Sequence, residues 1–107
     1  MLMLGWTTVT RVEDANELAE GAVKHGLAAC VQIDGPITSV FFWKGQLQRE
    51  AEYRLLFKFI PAKGRSLESW ILKTHPYETP EWVVVRTEHV AEKYLSWART
   101  NSTSAPF

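Results

Sequence analysis

A single cysteine, Cys30, is all the thiol chemistry available, so no internal disulfide can form and a reducing compartment suits the chain. Neither sign of charge is in excess: 12 Lys and Arg offset 12 Asp and Glu, for a formal net charge of zero. That balance excludes a protein whose affinity comes mainly from neutralising phosphates. Long apolar runs are missing too. The N-terminal Met1-Leu2-Met3-Leu4 has no basic flank and ends within a few residues, which fits neither a signal peptide nor a membrane span. No internal repeat, linker or low-complexity segment divides the 107 residues. The expectation is a cytosolic protein with no membrane contact, one domain over residues 1–100 and a polar tail over 101–107. What is abundant is apolar: hydrophobic residues make up 46%, with 5 tryptophans. A chain of about 100 residues buries only about two thirds of its unfolded surface. This apolar load therefore points to a second subunit covering part of it.

Periodicity divides the chain into short elements. Residues 3–9 read as a strand, and Thr10-Arg11-Val12-Glu13 has the spacing of a capping box. Ala15, Leu18, Ala19, Ala22 and Val23 then recur at helical steps until Gly26, which tolerates a left-handed stop. In the strand from Ala28 to Ile33, Ala29, Val31 and Ile33 share one face, and Cys30 points to the other. Gly35-Pro36 breaks or bends the chain before an extended stretch from Thr38 to Trp43. Lys44-Gly45 then makes a hairpin turn into a return strand from Leu47 to about Phe59. Tyr53, Leu55, Phe57 and Phe59 alternate with Arg54, Leu56 and Lys58. Pro61 opens a second helix carrying Leu67, Trp70, Ile71 and Thr74, Trp82 to Val85 read as a buried strand, and Tyr94, Leu95 and Ala98 mark a final helix.

The order βαββαβ plus a C-terminal helix predicts an α+β, ferredoxin-like fold, a mostly antiparallel sheet with its helices on one face. The other face carries Cys30, Leu56 and Lys58, together with either Phe41 and Trp43 or Val40 and Phe42, and is expected to lie against a second copy of the chain.

The densest chemistry is His75-Pro76-Tyr77-Glu78-Thr79-Pro80-Glu81, an imidazole, a phenol and carboxylates on backbone that the prolines hold extended. Together with Leu27-Ala28-Ala29-Cys30-Val31, Thr38-Ser39, Trp43-Lys44-Gly45, Lys58 and Tyr94-Leu95-Ser96-Trp97, in that order, the chain resembles the CutA divalent-cation-tolerance family. The resemblance runs from residue 3 to about 100. It implies a compact homotrimer with sheets inward and helices outward, divalent metal binding, copper in particular, and no established enzymatic activity. The chain departs from the family pattern at Gln32, Phe41 and Phe59. Some bacterial members also carry a first-strand cysteine and a second histidine, proposed as metal ligands, where this chain has Thr7 and Thr74.

Several chemistries compete for these residues. Copper and zinc favour imidazole and thiolate, so His75 is the best single metal ligand, with Glu81, Glu78 and Cys30 able to assist in a site assembled by the fold or between subunits. Glu81 or Glu78 is also the expected carboxylate partner of an inward Lys58. The same region could instead form a small-anion pocket, with charge from Lys58, a stacking face from Trp43, and hydrogen bonds from Tyr77 and His75. That arrangement resembles the PII signalling proteins, whose ligand sites lie between subunits. Cys30 with His75 could serve as thiolate and base, but no third orienting group or oxyanion loop is evident. Phe41, Phe42, Tyr53 and Phe57 resemble an RNA-stacking platform, against which the zero net charge counts.

Overall fold

The structure is a computed structural model and describes residues 1–103. Its elements are β1 (Met3–Val9), α1 (Val12–Lys24), β2 (Cys30–Trp43), β3 (Gln46–Phe59), a 3-10 turn (Pro61–Lys63), α2 (Gly64–Thr74), β4 (Val83–Arg86) and α3 (Glu92–Thr100). The strands form one antiparallel sheet in the order β2-β3-β1-β4. This is the expected α+β, ferredoxin-like arrangement.

One sheet face meets the helices. Val9, Leu55, Phe57 and Phe59 are buried there against Ala15, Leu18 and Ala22 of α1 and Leu67 and Ile71 of α2. The alternation seen in the sequence fixes this, because Leu55, Phe57 and Phe59 stand opposite Thr7, Gly5 and Met3 across the β1–β3 ladder. Cys30 and Lys58 are paired on the other face, as are Trp6 and Leu56.

Two expectations are corrected and two open readings are resolved. The capping box does not form: α1 is capped at Arg11 without a side-chain hydrogen bond, and the Thr10 hydroxyl lies 2.6 Å from the Tyr77 hydroxyl instead. Of the two outcomes open at Gly35-Pro36, a break or a bend, the chain takes the bend. β2 runs through it with a bulge between Asp34 and Ile37, which accommodates a proline that cannot donate to the ladder. That bulge also decides the hairpin faces, since Phe41 and Trp43 pair with Gln48 and Gln46, in phase with Lys58. β4 is not buried: Val83, Val84 and Val85 are 52%, 38% and 43% exposed, because β4 is an edge strand paired only to β1. The aromatic platform, against which the zero net charge already counts, does not form: Phe57 is buried beneath the helices, with Tyr53 packed against the same core, while Phe41 pairs on the opposite face.

The β2–β3 hairpin extends well past the shorter β1 and β4 and turns at Lys44-Gly45, both at positive φ (51° and 76°), a two-residue turn that suits strand twist. At the other end, Leu2, Ala29 and Ala98 form a second small core with Leu95 packed against it, and this seats α3. Of the expected tail, Ser102 is buried and its hydroxyl returns to the Ala98 carbonyl, while residues 104–107 lie outside the described residues.

Candidate functional site

α2 ends at His75, whose extended backbone (φ −62°, ψ 138°) satisfies the demand of Pro76, while its N–H closes the helix on the Ile71 carbonyl at 2.8 Å. That exit turns the imidazole inward, where it is 8% exposed. Both ring nitrogens are engaged. Nδ1 accepts the Tyr77 N–H at 3.0 Å, so the ring proton sits on Nε2, which lies 3.0 Å from both the Thr8 carbonyl and the Thr7 hydroxyl. Burial holds the imidazole below its ordinary pKa, outweighing the Thr8 carbonyl, Asp14 and Glu52, which favour the charged form.

Tyr77 lies edge-on to that ring, with centroids 4.8 Å apart. Its hydroxyl donates to Glu52 Oε2 at 2.7 Å, which leaves the Thr10 hydroxyl to donate to Tyr77. Burial, with Glu52 adding to it against Thr10, pushes the phenol up to about 12. Glu52 is itself buried, 6% exposed. Glu81 completes the cluster. Desolvation first and Glu52 second raise its carboxyl, and Arg54 opposes them. Arg54 is occupied on its other side by Asp34, at 2.8 Å from Nη2 and 3.3 Å from Nε. The result is a buried carboxylate, Glu52, held by Tyr77, with the exposed Glu81 close enough to feel its charge, beside a neutral histidine that holds the supporting loop.

Not every expected residue arrives here. Cys30 and Lys58 form a cross-strand pair opposite Leu4, four residues along β1 from Thr8, or ~13 Å at ~3.3 Å per residue. Among the described residues no three of His, Cys, Asp and Glu gather as a metal-binding group. Lys58 finds an aromatic partner rather than Glu78 or Glu81: its Nζ lies 5.6 Å from the centre of the Tyr94 ring. Trp43, paired with Gln46 at the hairpin tip, is separated from Lys58 by twelve residues of β3, ~40 Å. A pocket using Trp43, Lys58 and Tyr77 together would have to combine different copies of the chain. Glu78 is exposed, outside the Tyr77–Glu52 network.

Sequence reasoning missed Glu52, Thr8 and Thr10. Glu52 carried a usable signal, a carboxylate on the same alternating face as Arg54, Leu56 and Lys58, but its partner Tyr77 lies 25 residues away. Thr7 is likewise a hydrogen-bonding neighbour of His75 through its hydroxyl.

Comparisons with known proteins agree with this framework. The divalent-cation tolerance protein CutA of Yersinia pestis (strain Pestoides F) is 39% identical over 83 residues, covering 78% of this chain and 70% of that protein. Among solved structures, CutA from Synechococcus elongatus PCC7942 superposes with a TM-score of 0.91 at 37% identity, covering 95% of this chain and 90% of that one. The divalent cation tolerance protein (Cut A1) of Thermus thermophilus gives 0.91 at 32% identity, covering 96% and 100%. With the model of the CutA1 divalent ion tolerance protein family matched over residues 3–101, the chain belongs to that family.

Proposed function

We propose that the protein is a homotrimeric divalent-cation-tolerance protein that binds a divalent cation, copper foremost, through Glu81 and Glu52, and that it acts in the cytoplasm as a binding module rather than an enzyme. One observation supports the cation reading: Glu52 is a buried carboxylate hydrogen-bonded by Tyr77, and its charge reaches the Glu81 carboxyl and raises it, a repulsion that a divalent ion would offset. Carboxylate oxygens accept many divalent ions, and copper stands highest in the general affinity order. His75 could join only by giving up the Tyr77 N–H now bonded to Nδ1. Its present role is to hold Tyr77, and through it Glu52, in place. Binding is favoured over catalysis because Cys30, the candidate thiolate, pairs with Lys58 in the sheet, while His75, the candidate base, caps α2 and bonds Thr7 and Thr8. The unpaired Cys30 suits a reducing cytoplasm.

Calorimetric titration of metal-free protein with Cu²⁺, Zn²⁺ and Mg²⁺ tests the reading. Copper should bind most tightly, and Glu81→Gln should weaken it by about tenfold, the equivalent of one charge-assisted contact. No heat with any ion, or titrations that are identical in Glu81→Gln, would overturn it. His75→Ala separates direct ligation from positioning: lost affinity restored by His75→Gln indicates positioning.

A further inference from the structure

On the helix side of the sheet α2 does not reach over β4, and an open groove of about 610 Å³ runs between them. Trp82 forms its floor. The indole occupies the space above Gly5, where a Cβ would come within 2.5 Å of a ring carbon. It stacks on Phe59, with centroids 6.1 Å apart and planes 28° from parallel. Leu72 and Val84, 48% and 38% exposed, add apolar walls.

Charge gathers at one end. Arg86 stands opposite Met3, which stands opposite Phe59, so Arg86 sits at the Phe59 end of the sheet. Arg65 is there too, since it follows Gly64, whose missing Cβ would lie 3.5 Å from the Phe59 ring. Leu72 is seven residues further along α2, ~10 Å away at ~1.5 Å per residue. Neither guanidinium has a carboxylate partner within ion-pair distance among the described residues. Glu68, three residues after Arg65, is the groove's one acid.

We infer that this groove is a binding site for a small amphiphilic monoanion, a carboxylate attached to a flat aromatic body. Guanidinium forks match carboxylate geometry. The Trp82 indole offers a preformed flat surface for a ring, held by the Phe57 and Phe59 contacts already in place. The volume falls within the ~300–1,000 Å³ usual for small-ligand sites. Glu68 leaves one net positive charge among the three ionised side chains, which favours a single negative charge over a double one. The groove is on the opposite sheet face from Lys58 and does not use the Glu52–Glu81 cluster, so its fate is independent of the cation reading.

The test is calorimetric titration of the full chain with 2-naphthoate and with its neutral counterpart 2-naphthylmethanol, alongside the indole N–H resonance of Trp82 assigned through Trp82→Phe. Naphthoate should bind and shift that resonance, and the alcohol should bind about tenfold more weakly or worse. Arg65→Gln and Arg86→Gln should each weaken naphthoate by about tenfold, one charge-assisted hydrogen bond apiece. Glu68→Gln should tighten it. All three side chains are exposed, so the variants are expected to fold, and circular dichroism verifies this. No binding at millimolar naphthoate, equal affinity for the alcohol, or indifference to both arginine substitutions would each overturn the assignment.

Discussion

Protonating His75 would set two donors against each other, a new Nδ1–H and the Tyr77 N–H that Nδ1 now accepts. With burial acting in the same direction, the folded-state pKa lies below the ordinary value of 6.5. The unfolded chain is then the better proton binder. Stability is therefore complete above about pH 6.5 and is lost as pH falls through that value toward the lower folded one. Urea midpoints should drop between about pH 7 and about pH 5, and His75→Gln should flatten the drop; an equal fall in the variant would contradict the assignment. Glu81 has the opposite sign. Its raised carboxyl favours the neutral form, so its contribution is full below its ordinary pKa of 4.5 and is lost as pH rises through the folded value. Glu81→Gln should accordingly raise the urea midpoint of the cation-free protein at neutral pH. Tyr77→Phe removes the hydroxyl that satisfies buried Glu52, and should cost about 1–3 kcal/mol by urea denaturation.

Among the elements, those governed by local pattern were legible. Alternation along β3 identified its buried face, and the helical spacing of Ala15, Leu18 and Ala22 identified the face of α1. Features set by distant chain were not. Thr10 has the sequence of a cap but meets Tyr77, 67 residues away, and no local rule contains that competition. The valines of β4 read as core by composition, yet strand order puts them at an edge. In the site, His75, Tyr77 and Glu81 were visible as a motif. Glu52 was not, because its contact depends on how the chain between β3 and the loop folds back. Strand β1 offers a sharp check on packing. Gly5→Ala would drive a methyl into the Trp82 ring at 2.5 Å, where the indole is already fixed by Phe57 and Phe59. A loss of about 1–3 kcal/mol in unfolding free energy is expected, and an unchanged midpoint would mean the indole is free to move.

At the scale of the whole molecule the isolated chain leaves much apolar surface uncovered. Phe42 is 73% exposed, Leu47 62%, Val40 53% and Trp43 47%, all on a hairpin that projects past the core. Trp43, Val83 and Val85 lie on the sheet face that no helix covers, and Val40, Phe42 and Leu47 on the other face of the projecting hairpin. Association of copies would cover apolar surface of this extent. If copies bury the hairpin, Phe42→Glu should leave the secondary structure of the chain intact while lowering its assembled mass, because the substitution harms only what lies against it. Assembly would also be the means by which Trp43, distant from Tyr77 within one chain, reaches polar groups of a neighbour. Light scattering coupled to size exclusion at micromolar concentration addresses this most directly: a trimer requires a mass of about three times 12.2 kDa, and a particle of 12.2 kDa would contradict it.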